Sequence, residues 1–175
     1  MLGLVPQTAT KTHLMKPSVP TPRHLDAFDR AILRIVQQDN KTPQRAIAEA
    51  VNLSAAAVQR RIAAMEEAGV IARNVAIVDP EAVALAITAI VELYLRDERA
   101  TTVDAAKALF RDTPEVQQCY YVTGGTSLVL IIVTQDMRAY EALARRLFEQ
   151  NELVQRYRTL IALDRVKVDT SITVP

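Results

Sequence analysis

With 175 residues, half of them hydrophobic, the chain has room for one full domain or two small ones with packed cores. Its net charge of +1 hides an asymmetry: residues 1–73 hold 10 Lys and Arg against 6 Asp and Glu, a balance of +4, whereas residues 74–175 hold 11 against 14, a balance of −3. A single cysteine, Cys119, excludes an intramolecular disulfide and a cysteine-built zinc site, and the longest apolar run, 128–133, has the length of a buried strand and not of a membrane span.

Residues 1–24 carry Pro6, Pro17, Pro20 and Pro22 among threonines and lysines, with neither helical nor strand periodicity, and read as a disordered tail. They lack the basic start and sustained apolar core of a secretory signal, which with the lone cysteine fits a reducing cytoplasm. Lys11, Lys16 and Arg23 leave a DNA-touching arm as a second reading, and Met15 leaves a start site placed too early as a third.

From residue 25 the pattern turns helical. Phe28, Ile32, Leu33, Ile35 and Val36 form a broad apolar stripe, Asp26 and Asp29 put carboxylates where the helix dipole favours them, and Asn40 marks an end. Thr42 and Pro43 supply a capping hydroxyl and a proline at the first position of a second short helix, whose apolar face is Ala46, Ile47, Ala50 and Val51. The turn 52–54 leads directly into a third, over 53–71. Ser54 caps it, Val58, Ile62 and Met65 face inward, and Gly69 supplies the left-handed residue at its end.

Three helices so closely spaced, the last two joined by a turn of a few residues, predict a helix-turn-helix DNA reader, with a helical interaction module as the alternative. Counting about 100° per residue from Val58, the outward face of the third helix carries Ala56, Arg60 and Ala63, flanked by Gln59 and Arg61. Small residues let a backbone approach a groove floor, while arginine pairs with guanine and glutamine with adenine, so Arg60 and Gln59 are the expected base readers. Arg61 lies nearer the protein and either grips a phosphate or packs locally. Ser54, Lys41 and Arg45 are phosphate candidates whose other reading is a cap and two solvated charges.

After Gly69 a β-branched run over 73–78 ends at Asp79-Pro80 and reads as a hinge strand. The remaining pattern is strand 87–95, helix 102–111, strand 116–123, strand 128–134, helix 137–150 and strand 154–163, with a further short strand over 166–174. That order is a ferredoxin-like split βαβ, whose two helices cover one face of the sheet and leave the other for a second copy. Cys119 is expected as a small hydrophobe on its strand. The expected protein is α+β: a tail over 1–24, a three-helix winged-type helix-turn-helix domain over 25–71, a hinge and linker over 72–81, and a ferredoxin-like βαββαβ domain over 82–175. Between the middle strands, Gly124, Gly125, Thr126 and Ser127 form either a plain hairpin turn or a cradle of bare amides and hydroxyls for a carboxylate or ammonium.

The stretch LDAFDRAILRIVQQDNKTPQRAIAEAVNLSAAAVQRRIAAMEEAGVI resembles the amino-terminal domain of the Lrp/AsnC transcription regulators, and QCYYVTGGTSLVLIIVTQDMRAYEAL with LVQRYRTLIALDRVK resembles their carboxy-terminal domain. The resemblance covers residues 25–168. It implies a DNA-binding regulator, not an enzyme, without a cofactor, that dimerises through the second domain, often assembles into octamers, and answers to a small amino acid held against the 124–127 turn. By the same resemblance Thr159 joins Gly124, Gly125, Thr126 and Ser127 as an effector residue. The chain departs from the family pattern at Gly125, at Ser127, where relatives commonly carry an acid or amide, and at Tyr157, where they commonly carry threonine.

Two other functions compete. Some proteins of this architecture resemble haem-pathway decarboxylases, but the only histidines, His13 and His24, lie in or beside the tail. A stand-alone amino-acid sensor would need a decayed first domain, against which the intact caps and basic face of residues 42–69 argue.

Overall fold

The computed structural model describes residues 24–175; the expected tail and its basic arm fall almost wholly on residues 1–23, outside those described. The described chain forms two compact units, one running to Val75 and taking in Asp169–Pro175, the other spanning Ala76–Val168.

The first unit holds α1 (Ala27–Val36), α2 (Gln44–Val51) and α3 (Ala55–Glu67). Asp26 caps α1 in a reciprocal box: its side chain accepts from the Asp29 amide at 2.8 Å, and Asp29 accepts from the Asp26 amide at 3.4 Å. Helix α1 ends at Val36, four residues before the expected Asn40. Pro43 occupies the cap position of α2, and the Thr42 hydroxyl donates backward to the Asp39 carbonyl at 2.8 Å, so it closes the preceding turn and does not cap α2 as expected. Asn52, left-handed at φ 54°, ends α2 and turns the chain into Ser54, whose hydroxyl accepts from the Ala57 amide at 3.2 Å and caps α3. At the far end Gly69 (φ 71°) lets Val70 N donate to Met65 O at 2.8 Å and its own amide to Glu66 O at 3.0 Å, a Schellman closure. Ile32, Ile47, Ala48, Val51, Val58 and Met65 form the core. Phe28, expected inside, is 42% exposed, and Asp29 is buried in its stead at 2%. The segment Asp169–Pro175 runs along α1: the Gln37 side chain donates to Ile172 O at 2.9 Å and accepts from Ile172 N at 3.1 Å.

In the second unit a short 3-10 turn (Glu81–Val83) precedes β1 (Ile87–Leu95), α4 (Ala100–Arg111), β2 (Val116–Tyr121), β3 (Leu128–Thr134), α5 (Met137–Ala144), a π-helical turn (Arg145–Glu149) and β4 (Val154–Ile161). The sheet is antiparallel in the order β2-β3-β1-β4. Alternation does the sorting: Ala89, Val91, Leu93 and Leu95 of β1 and Leu128, Leu130 and Ile132 of β3 face the helices, where they meet Val103, Ala106, Phe110, Tyr140, Leu143, Leu147 and Phe148. Phe148 lies 6.2 Å from Phe110 and 4.8 Å from Tyr157 between ring centroids, in the tilted geometry aromatic pairs favour. No helix of this unit covers the other face, where Ile131, Ile90 and Leu160 stand opposite one another across three strands. Beside them Glu92 and Arg158, also cross-strand partners, form a two-point ion pair at 2.7 and 2.8 Å.

Two expected strands are absent. Residues 72–79 and 166–174 form no strand, because β-branched sequence makes a strand only where a ladder partner exists, and none of the described chain pairs with either. Their apolar side chains stay in solvent, Ile77 at 73% and Val166 at 87% exposed. Helix α5 also gives way before its expected end at 150, to the π-helical turn in which Gln150 N reaches Arg145 O at 2.9 Å.

Candidate DNA interface and effector turn

The outward face of α3 is built as the periodicity predicts. Ala56, Gln59, Arg60 and Ala63 are exposed, with the alanines between the two long side chains. Arg60 lines a recess of about 370 Å³ with Leu53, Ala57 and Arg61, and Gln59 lines another of about 580 Å³ against Asn40, Thr42, Gln44 and Asn74. The two candidate base readers thus mark opposite borders of one face. Among the described residues the Arg60 side chain has no hydrogen-bond or ion-pair partner.

Arg61 is employed differently. Its Nη1 lies 2.7 Å from Asp29 Oδ1 and 2.8 Å from Asp26 Oδ2, and its guanidinium covers the Phe28 ring at 5.4 Å from the centroid. Of the two readings for Arg61, local packing is the one its geometry satisfies; the arginine holds α3 against the start of α1. The Asp29 amide, with Arg61 adding to it, holds the Asp26 carboxyl below the usual aspartate range. Ser54, Lys41 and Arg45 are exposed; Arg45 pairs with Glu49 one turn on at 3.2 Å, a solvent contact that leaves it free to exchange partners.

At the other candidate site Gly124 and Gly125 adopt φ of +105° and +96°, conformations that only glycine takes without strain, and a Cβ built on either meets nothing within 4 Å. The amides of Gly124, Gly125 and Thr126 have no acceptor among the described residues. Ser127 is buried at 6% and fully occupied: its amide donates to Leu93 O, and its hydroxyl accepts from Leu95 N, both at 3.0 Å, and donates to Glu98. Tyr121 OH donates to the second oxygen of Glu98 at 2.9 Å, which pushes the tyrosine pKa up because ionisation would face that carboxylate. Lys107 rests on the Tyr121 ring, 4.2 Å from its centroid.

Thr159 does not join this group. It lies on β4 opposite Val91, with its hydroxyl bonded to Tyr140 on the helix-covered side, roughly 14 Å from Ser127 by strand spacing. Glu98, Tyr121 and Lys107 escaped sequence reasoning. The run Arg96-Asp97-Glu98-Arg99 after β1 is a plain polar break in the sequence, but the fold alone shows which of its charges returns to the turn. Cys119 is half-buried on β2, and burial pushes its thiol pKa up, which suits an inert side chain.

The Lrp/AsnC ligand binding domain family matches residues 88–172, and the winged helix-turn-helix DNA-binding family matches residues 25–72. An uncharacterized HTH-type transcriptional regulator of Sinorhizobium fredii is 39% identical over 86% of this chain and 89% of its own length. The DNA-binding transcriptional activator DecR of Escherichia coli is 27% identical over 86% and 99%. Among solved structures, an AsnC family transcriptional regulator from Agrobacterium tumefaciens superposes with a TM-score of 0.80 at 31% identity, covering 85% of this chain and 97% of that one. A Neisseria meningitidis transcriptional regulator solved as its L-Met complex gives 0.78 at 28% identity, covering 86% and 97%. With both units matched, in order, the chain belongs to the Lrp/AsnC family of DNA-binding transcriptional regulators.

Proposed function

We propose that the face of α3 bounded by Gln59 and Arg60 enters the major groove, with Ala56 and Ala63 at closest approach and Ser54, Lys41 and Arg45 meeting phosphates. The observation that carries this reading is the contrast between neighbours: Arg61 is bound into the domain by two carboxylates, whereas Arg60 projects from the same helix with no partner among the described residues. An unpaired guanidinium beside small residues is what bidentate recognition of guanine requires. The second unit takes a small amino acid at the 124–127 turn, a reading supported by the L-Met complex of the Neisseria relative. Two copies pair through the open sheet face, where the row of Ile131, Ile90 and Leu160 lacks a cover. An amino acid that favours one assembly over another then changes DNA affinity, and DNA changes amino-acid affinity by the same factor. The protein works in the cytoplasm as a regulator without catalytic turnover.

The test is selection of DNA from a random pool by the full chain, followed by anisotropy titrations at two salt concentrations with Arg60→Ala alongside. Expected are a defined selected sequence, a steep salt dependence, and a loss of about 1–3 kcal/mol in the variant. A selected pool without sequence preference, or an Arg60→Ala protein that binds like its parent, overturns the reading.

A further inference from the structure

We infer that Glu98, and not a residue of the turn itself, takes the ammonium group of an α-amino acid bound at residues 124–127, with Lys107 and the unpaired turn amides taking its carboxylate. This rests on the proposed effector site and assigns it residues from outside the turn.

Ser127 is the first clue. A hydroxyl has one proton to give, and Ser127 spends it on Glu98 while accepting from Leu95 N. It is also buried. It anchors the site instead of meeting a ligand, and what it anchors is a carboxylate.

The second clue is how Glu98 is held. Tyr121 OH fastens one oxygen and Ser127 Oγ the other, so the carboxylate is fixed in place by two neutral hydroxyls. It is solvent-exposed, and no cation among the described residues lies within ion-pair distance. Ordering its side chain costs conformational entropy, which the two hydrogen bonds offset, and the result is a carboxylate held in one place. An immobilised and un-neutralised carboxylate, with lone pairs left over, is a prepared acceptor for a cation.

The third clue is the opposite charge beside it. Lys107 lies over the same Tyr121 ring and likewise has no carboxylate partner among the described residues. One tyrosine therefore carries a fixed negative charge at its hydroxyl end and a positive charge on its face, and neither neutralises the other. In the chain just before Ser127, which holds Glu98, come Gly124, Gly125 and Thr126, whose amides have no acceptor among the described residues, with open space above both glycines. A zwitterion with adjacent ammonium and carboxylate groups satisfies both charges at once, whereas an organic acid or a simple amine satisfies only one.

The experiment is calorimetric titration of the full chain with each of the twenty L-amino acids singly. For those that bind, the N-acetyl derivative and the methyl ester follow, against the parent, Glu98→Gln and Lys107→Gln. Melting curves confirm that the substitutions at the exposed Glu98 and the half-buried Lys107 leave the fold intact. The parent is expected to reject both derivatives; Glu98→Gln is expected to weaken the amino acid by about tenfold or more and to accept the N-acetyl compound as well as the free one. Lys107→Gln is expected to weaken the amino acid and to lose discrimination against the ester. If the parent binds an amino acid and Glu98→Gln binds it within about twofold, the assignment of Glu98 falls and the effector site stands. If no amino acid binds the parent, both fall together.

Discussion

Arg61 Nη1 sits 2.7 Å from Asp29 Oδ1, a carboxylate only 2% exposed, and this ion pair joins the middle of α3 to the first turn of α1. The orientation of the helix proposed to face DNA therefore depends on an arginine adjacent to the one proposed to read a base. Removing Arg61 takes a cation away from a carboxylate that is buried. Arg61→Met is expected to destabilise the first unit by about 2–3 kcal/mol, less than for a wholly buried pair because Arg61 keeps 27% of its side chain in water. Arg60→Ala is expected to stay within about 0.5 kcal/mol of the parent. Urea unfolding of the two variants measures the difference, and equal midpoints would contradict it.

The same cluster gives the unit an acid-sensitive start. The Asp26 carboxyl is held below its ordinary value by the Asp29 amide first and by Arg61 next. Below the unfolded value of about 3.9 the unfolded chain binds the proton and the folded one does not. The contribution is therefore complete above about pH 4 and is lost as pH falls through the lower folded value. Urea midpoints at pH 5 and pH 3 should fall more for the parent than for Asp26→Asn.

Two phenylalanines look alike in sequence and should behave differently. Phe148 is 2% exposed and packed between Phe110 and Tyr157, so Phe148→Ala is expected to cost about 3–5 kcal/mol. Phe28 is 42% exposed under Arg61, so Phe28→Ala is expected to cost about 1 kcal/mol or less. Thermal unfolding of both variants checks the ordering.

On the open face of the sheet, Leu160 is 44% exposed and stands opposite Ile90. A charge there would be desolvated if two copies cover the face and harmless if they do not. Leu160→Glu is expected to shift the chain from dimer to monomer in sedimentation equilibrium without lowering its melting temperature as a monomer. A parent that sediments as a monomer would overturn the pairing.

The Gln37 amide pairs with both backbone groups of Ile172. Gln37→Ala is expected to speed amide exchange at Ile172 and to change global stability by less than about 1 kcal/mol, since the pairing is exposed to water.

Sequence alone determined whatever is set by neighbours a few residues apart. The Ser54 cap, the Gly69 stop and the bounds of β1 all follow from local periodicity and from side chains that reach their own backbone. Tertiary structure decided what depends on partners far along the chain. Residues 166–174 alternate like a strand, but a strand needs a ladder, and the described chain offers none. Phe28 lies at the surface and Asp29 inside, where Arg61, more than thirty residues later, pairs with the buried carboxylate. Ser127 and Glu98 are 29 residues apart, and nothing in the period of either segment links them. Only when β1 and β3 align does the loop after β1 meet the turn before β3, and a glutamate in a polar break becomes the fixed charge beside the glycines.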